Sequence, residues 1–190
     1  MKRNTKQLIP MILVFTIIAA GYSCRMLAMF DIGGAWGSYI RAALYLLLFS
    51  LWGYSLDRRI IQTQALHCLR LTAALMLVWL ILRTLKYEFV TDLTVARYIW
   101  YLYYLPMLFI PLLGVYIALS LGKSEKFRLT GRIGALAIIP AVLFLLVITN
   151  DLHQQVFAFS SGVPGVPDNY GYSHGIFYFC SIGWMVACMI

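Results

Sequence analysis

Residues 98–121 read YIWYLYYLPMLFIPLLGVYIALSL, a stretch without a single charged side chain. A helix of about 20 residues crosses the roughly 30 Å hydrocarbon core of a bilayer, and it satisfies its own backbone hydrogen bonds there. Five other apolar stretches are as long or nearly as long. The six predicted spans are Leu8–Tyr22, Trp36–Leu56, Leu66–Leu85, Tyr98–Leu121, Ile133–Thr149 and Ile176–Ile190. The sequence therefore predicts an all-α, polytopic transmembrane bundle, which we treat as one domain over residues 1–190.

The composition agrees with a chain that is immersed in lipid. Hydrophobic residues make up 62% of the sequence and charged residues 12%, with a formal net charge of +8. The basic residues stand in short clusters at the ends of the predicted spans rather than on one solvated face. Such clusters meet anionic lipid headgroups, so we expect the bilayer as a partner and no nucleic acid.

The distribution of charge predicts how the chain is oriented. Basic residues are concentrated before the first span and in the loop Gly122–Arg132, whereas the loop Asn150–Ser173 holds only the acids Asp151 and Asp168. The positive-inside rule places the N-terminus in the cytoplasm and the loop Asn150–Ser173 outside. We therefore predict an uncleaved first span and a multi-pass protein of a bacterial inner membrane. The chain ends on Met189-Ile190 without a polar tail, so we expect a fragment.

The ionisable residues argue against several kinds of chemistry. All seven acids lie in loops or at span ends, whereas proton-coupled transporters and intramembrane hydrolases need an ionisable group at depth. The four cysteines (Cys24, Cys68, Cys180 and Cys188) have no metal-binding or disulfide spacing. No phosphate loop or catalytic motif is present. We expect no metal and no cofactor, and we interpret the chain itself as non-catalytic.

Two groups of polar residues could form an outer site. Arginines lie at the predicted outer ends of the first four spans: Arg25, Arg41, Arg83 and Arg97. They would reach headgroups or pair with Asp31, Glu88 or Asp92, and the alternative is a basic pocket for an anionic ligand.

The second group follows the fifth span, where residues 149–157 read TNDLHQQVF. Asparagine tolerates the left-handed conformation that ends many helices, so Asn150 could end the fifth span. Asp151 is suited to be the N-terminal cap of a short helix that follows. His153 could form a metal or pH-sensitive site with His174 and Asp168, but the spacing is not that of metal ligands, which favours capping and hydrogen bonding.

Aromatic residues and two prolines mark the start of the fourth span. The segment Arg97–Pro111 contains five tyrosine and tryptophan side chains before Pro106. We interpret them as interfacial anchors, with a stacking wall for a ligand as the alternative. Pro106 and Pro111 each remove a helical hydrogen bond, so this segment could be a hinge.

These same segments resemble a known family. The segments are Thr149–His153, Arg97–Pro111, Ser120–Glu125 and Tyr170–Phe177. Together they are similar to the N-terminal multi-span sensor region of bacterial histidine kinases, the seven-transmembrane N-terminal region. The resemblance is strongest from Arg97 onward. It implies cytoplasmic kinase domains and a response regulator as partners in the full-length protein, and a homodimer. With a cytoplasmic N-terminus, cytoplasmic output requires six or eight spans rather than seven.

We therefore predict a membrane-embedded input domain of a two-component histidine kinase, which detects an unknown extracytoplasmic or membrane stimulus. A fragment of a transporter or channel is the alternative, and a simple membrane anchor is a third possibility. The candidate ligand-sensing residues are Arg41, Arg83, Asn150, Asp151, His153 and His174.

Overall fold

The computed structural model describes residues 14–23, 34–56, 60–123, 131–159 and 172–190, and most of these residues are helical. The chain divides into two compact units, Met1–Tyr54 and Ser55–Ile190, which we describe separately. The helices and strands are α1 Val14–Ser23, α2 Gly34–Leu56, α3 Thr63–Thr84, α4 Leu93–Leu102, α5 Tyr104–Ser120, α6 Gly131–Gly134, α7 Ile138–Ile148, α8 Asn150–His153, β1 Phe157–Phe159, β2 Tyr172–His174 and α9 Ile176–Ala187.

The helices confirm a mostly helical chain, although their bounds differ from the predicted spans. Three segments are long and apolar enough to cross a bilayer: Trp36–Leu56, Thr63–Phe89 and Leu93–Ser120. Three apolar helices are shorter: Val14–Ser23, Ala135–Ile148 and Ile176–Ala187. The count of six spans stays a prediction, and residues 8–13 of the predicted first span lie outside the described residues.

The first unit contains α1 and nearly all of α2. The two helices approach each other closely at Gly21, where an added Cβ would lie 3.1 Å from the ring of Tyr45. A glycine here lets the backbone of α1 rest against an aromatic ring of α2.

The second unit is organised around α5, which contacts α3, α4, α7 and α9. Leu108 and Leu112 on α5 and Val147 on α7 are almost completely buried. At the end of α5, the carbonyl of Ser120 accepts a hydrogen bond of 2.5 Å from Gln62 Nε2, which ties α5 to the start of α3.

The predicted fourth span lies in one apolar helical segment, Leu93–Ser120, in which α4 and α5 meet at Tyr103. Asp92 caps α4, because its Oδ1 accepts hydrogen bonds from the backbone N–H groups of Thr94 and Val95 at 2.7 and 3.0 Å. Tyr103 keeps helical backbone angles, with φ −61° and ψ −26°. It lies three residues before Pro106, whose missing N–H leaves no helical donor for the carbonyl of Leu102. A hinge at these prolines stays a prediction.

The last part of the chain contains a β-hairpin that the sequence did not predict. Strands β1 and β2 are antiparallel, with Phe157 opposite His174 and Phe159 opposite Tyr172. Phe157 and Phe159 are buried and Ala158 between them is partly exposed, which is the alternation of a half-buried strand. The prediction of an irregular loop over Asn150–Ser173 is therefore wrong for residues 157–159 and 172–173, and residues 160–171 lie outside the described part.

Candidate functional site

A buried ion pair joins α4 to α8. Arg97 Nη2 lies 2.7 Å from Asp151 Oδ2, and only 4% of the Arg97 side chain and 17% of the Asp151 side chain are exposed. Two other nitrogens of Arg97, Nε and Nη1, are buried and have no hydrogen-bond acceptor among the described residues. A guanidinium buried in this way needs its carboxylate partner, because an unpaired charge in a low-dielectric interior is strongly unfavourable.

Tyr101, one helical turn after Arg97, belongs to the same network. Its hydroxyl donates a hydrogen bond of 2.8 Å to Asp151 Oδ1 and accepts one of 3.2 Å from Asn150 Nδ2. The Asp151 carboxylate therefore has a separate partner on each oxygen, and both partners come from one face of α4.

Asn150 connects this network to the hairpin. Its Oδ1 accepts from the backbone N–H groups of Val156 and Phe157, both at 3.0 Å, and its Nδ2 also donates to the Phe157 carbonyl at 2.9 Å. Asn150, Val156 and Phe157 are fully buried. One amide side chain thus fixes the backbone where β1 begins.

The turn between α8 and β1 is held by His153 and Gln154. The backbone of Gln154 is left-handed, with φ 50°, and its N–H donates to the Asn150 carbonyl at 2.7 Å. The Gln155 N–H donates to His153 Nδ1 at 3.0 Å, and His153 Nε2 lies 3.0 Å from the Leu146 carbonyl. The imidazole therefore links this turn to the last part of α7.

Aromatic rings pack the hairpin against α4 and α9. Phe157 is at the centre of this hairpin cluster, with ring centroids 4.4 Å from Trp100, 5.7 Å from Tyr172 and 5.9 Å from Tyr178. We define the hairpin cluster as Trp100, Tyr101, Tyr104, Phe157, Tyr172 and Tyr178. Because aromatic pairs contribute beyond their buried area, this cluster is a strong attachment between the hairpin and the helices.

Gly175 lets the hairpin continue directly into α9. A Cβ at this position would lie 1.9 Å from the Gln155 carbonyl oxygen, which is backbone and cannot move aside. The Gly175 N–H donates to the Val156 carbonyl at 2.9 Å, and the Phe177 N–H donates to the Gln155 carbonyl at 3.3 Å. Further along α9, Trp184 Nε1 donates to the Leu108 carbonyl on α5 at 3.1 Å.

The structure brings together four of the six predicted candidates. Asn150, Asp151 and His153 share α8, and His174 lies on β2 with its ring 4.0 Å from that of Tyr178. Arg83 lies elsewhere on α3, where its guanidinium is 5.9 Å from the ring of Trp79.

Arg41 lies in the first unit, where Nη2 donates to Ser38 Oγ at 3.4 Å. The role of these two arginines as charge partners of the site stays a prediction.

Two details of the predicted α8 region are wrong. Asn150 does not end a helix in the left-handed conformation, because it begins α8 and the left-handed residue is Gln154. Asp151 is not the cap of α8 but lies in its first turn, where it pairs with Arg97. The physical reason is that both side chains bond across to other elements instead of to their own helix end.

Two predictions made for α4 are also corrected. Arg97 pairs with Asp151 rather than with Glu88, Asp92 or Asp31. Asp92 is engaged as the α4 cap, and Asp31 lies outside the described residues.

Tyr101 and Tyr104 are buried in the hairpin cluster, so they are not interfacial anchors. The sequence does carry a signal for the burial of these two tyrosines, because Arg97, Tyr101 and Tyr104 are spaced along one helical face.

The hypothesis of a metal site at His153 receives no support from the described residues, which contain no group of three or more potential metal ligands. Both imidazole nitrogens contact the backbone, as the hydrogen-bonding interpretation predicted. Asp168, the third residue of that predicted site, lies outside the described part of the chain.

The role of Asn150 can be tested by stability measurements. Asn150→Ala is expected to lower the free energy of unfolding by about 2 to 3 kcal/mol, because the buried Val156 and Phe157 N–H groups lose their acceptor. Denaturation of the purified chain with SDS in mixed micelles measures this difference. Thr149→Ala is the neighbouring control, since its hydroxyl donates to the Leu145 carbonyl and has one long contact, 3.5 Å, with His153 Nε2, and we expect a change within about 0.5 kcal/mol. Equal stability of the two variants would contradict the role of Asn150.

Comparison with known proteins gives one match. Residues 40–190 match the family model described as the N-terminal 7TM region of histidine kinase. Searches of curated proteins and of solved structures gave no match. The matched residues include α4, α8, the hairpin and α9, and therefore every part of the site described above. The match confirms the resemblance seen in the sequence, and the chain belongs to the family of N-terminal 7TM regions of histidine kinases.

Proposed function

We propose that this chain is the sensory input domain of a two-component signalling histidine kinase. In this proposal a stimulus from outside the cytoplasm or from the membrane acts at the hairpin end of the second unit, and the response reaches cytoplasmic output domains. Membership of the family of N-terminal 7TM regions of histidine kinases supports this class of protein. The observation that carries the proposal is the buried Arg97–Asp151 pair, which ties α8 and the hairpin to α4.

The connections of the hairpin suggest how a stimulus would be relayed. The hairpin is attached to α4 through Trp100 and the Asn150–Asp151 network, and it is separated from α9 only by Gly175. A change in the hairpin would therefore move α9 along α5, where Trp184 bonds to the Leu108 carbonyl.

Such a relay has a thermodynamic requirement. A stimulus can shift the equilibrium between two helix arrangements only by its difference in affinity for them. In this proposal Asn150, Asp151 and His153 shape the outer site, His174 lies beside it, and Arg41 and Arg83 supply charge to ligands or headgroups.

The cellular setting belongs to the same proposal. The basic residues before the first predicted span and in Gly122–Arg132 favour a cytoplasmic location for both segments, which supports an extracytoplasmic location for the hairpin end. We propose a multi-pass protein of a bacterial inner membrane, with its kinase domains and a response regulator on the cytoplasmic side. A homodimer is part of this proposal.

The test compares two carboxylates on the parent kinase reconstituted in liposomes. Asp151→Asn removes the charge that pairs with Arg97, and we expect the rate of basal autophosphorylation to change by about fivefold or more, the lower bound of ordinary allosteric couplings. Asp92→Asn is the matched control, because asparagine also caps a helix and this side chain is exposed. We expect the control to stay within about twofold of the unmodified kinase.

A rate for Asp151→Asn that equals the rate for Asp92→Asn would contradict the proposed relay. Flux of solute through the reconstituted chain would favour the transporter or channel alternative.

A further inference from the structure

The contacts of His153 define which of its nitrogens carries the proton. Nδ1 faces the N–H of Gln155 at 3.0 Å, and a backbone N–H can only donate. Nε2 faces the carbonyl of Leu146 at 3.0 Å, and a carbonyl can only accept. The two contacts are therefore satisfied together only by neutral imidazole with its hydrogen on Nε2.

Protonation of this ring would break one of the two contacts. The imidazolium carries a hydrogen on each nitrogen, so Nδ1–H would point at the Gln155 N–H and two donors would face each other. The contact of Nε2 with Leu146 would persist. Acid therefore weakens the turn between α8 and β1 and leaves the link to α7 in place.

This turn is a sensitive point in the backbone. Gln154 is the one non-glycine residue with positive φ among the described residues, and a side chain makes this conformation unfavourable by about 1 kcal/mol or more. Beside the Asn150 side-chain bonds to Val156 and Phe157, the turn has hydrogen bonds from the Gln154 N–H to the Asn150 carbonyl and from the Gln155 N–H to His153. If the bond from the Gln155 N–H to His153 is lost, the bond from the Gln154 N–H to the Asn150 carbonyl remains beside the strained backbone of Gln154.

No charged side chain among the described residues contacts the His153 ring, so the ligand that we consider for it is the proton. The ring contacts Leu146 and Thr149 from the α7 end, Gln155 from the turn and Phe177 from α9, and none of these four side chains carries a charge. The nearest acid in the described sequence, Asp151, is bonded to Arg97 and Tyr101. His174, the other imidazole of this region, faces Phe157, Tyr172, Tyr178 and Phe179.

We propose that His153 is a proton-sensing site, whose protonation removes the Gln155 N–H bond and so weakens the turn between α8 and β1. Histidine is the side chain whose charge normally changes between about pH 5 and 8, the range in which an extracytoplasmic acid stimulus would act. The structural part of this proposal concerns the turn alone. Its effect on a kinase rests on the proposed function.

The experiment uses the full 190-residue chain in lipid nanodiscs, with pH as the only variable. Amide hydrogen exchange, corrected for the intrinsic effect of pH on exchange, reports the protection of Gln155. We expect protection to fall by about fivefold or more between pH 7.5 and pH 5.5, as follows from the loss of one hydrogen bond.

Two variants separate the two histidines. In His153→Asn the side-chain oxygen can accept from the Gln155 N–H in place of Nδ1 but does not titrate, so we expect no fall in protection. His174→Asn removes the other imidazole near the hairpin, and we expect the same fall as in the unmodified chain.

Ring protonation of His153 provides a second measurement that needs no variant. The ¹⁵N signals of labelled histidine should show hydrogen on Nε2 at pH 7.5, and protonation should have the same pH midpoint as the loss of Gln155 protection. The proposal is overturned by constant protection in the unmodified chain, by a fall that persists in His153→Asn, or by different midpoints. Because no phosphorylation is measured, these outcomes leave the proposed kinase role untouched.

Discussion

Arg97→Met is expected to lower the free energy of unfolding of the chain by about 3 to 5 kcal/mol, the range found when one partner of a buried ion pair is removed. Asp151 would keep the hydrogen bond from Tyr101 but would lose its only described cationic partner. Methionine fills much of the space of the arginine stem, so the decrease in the free energy of unfolding is due mainly to the missing charge. SDS titration in mixed micelles measures the difference.

Two further variants identify the ion pair as the cause. Arg97→Lys keeps a positive charge opposite Asp151 and should lose only about 1 to 2 kcal/mol. In the double variant Arg97→Met/Asp151→Asn no unpaired charge is left, so its loss should be smaller than the sum of the two single losses by about 1 to 3 kcal/mol. Strictly additive losses would mean that the two residues do not interact.

Gly175→Ala is the second large expected effect. The new Cβ would overlap the Gln155 carbonyl oxygen, which lies 1.9 Å from its position, so β2 must separate from the turn. We expect a loss of about 3 kcal/mol or more in the free energy of unfolding, at the upper end of overpacking effects. The hydrogen bonds from Gly175 and Phe177 would be lost with it.

The control for this variant lies on α9 itself. A Cβ at Gly183 meets no atom within 4 Å, and alanine is the better helix former, so Gly183→Ala should be neutral or stabilising by up to about 1 kcal/mol. A Gly175→Ala chain as stable as Gly183→Ala would show that the close approach of β2 to the turn does not exist in the membrane.

The sequence predicts the helices well because each apolar stretch carries the signal locally. Trp36–Leu56 was predicted with the same end as α2, and most of the predicted fourth span lies within the apolar helical segment Leu93–Ser120. Family membership could also be inferred, since the segments around Arg97 and Asn150 are recognisable without a structure.

The hairpin and the ion pair could not be predicted in the same way. Strands of three residues give almost no periodic signal, and the bond between Asp151 and Arg97 joins residues far apart in the sequence. Asn150 was predicted to end a helix because asparagine tolerates the left-handed conformation. In the structure its side-chain amide instead bonds to the backbone where β1 begins, and Gln154 is the left-handed residue.

Tyr101 and Tyr104 show why composition alone misleads at a membrane surface. Tyrosines near a span end are usually anchors in the headgroup region, but these two are buried against Phe157. Whether these tyrosines are buried or interfacial depends on the hairpin that covers them, and the sequence of the span alone gives no indication of that hairpin.

Amide hydrogen exchange of the hairpin in Asp151→Asn, measured on the chain in lipid nanodiscs, tests most directly whether the ion pair holds the hairpin to α4. The substitution keeps the size of the side chain and removes its charge. We predict that residues 157–159 and 172–174 exchange at least about tenfold faster than in the unmodified chain, while residues 104–120 of α5 keep their protection. Unchanged exchange of the hairpin in Asp151→Asn would contradict the attachment on which the proposed relay depends.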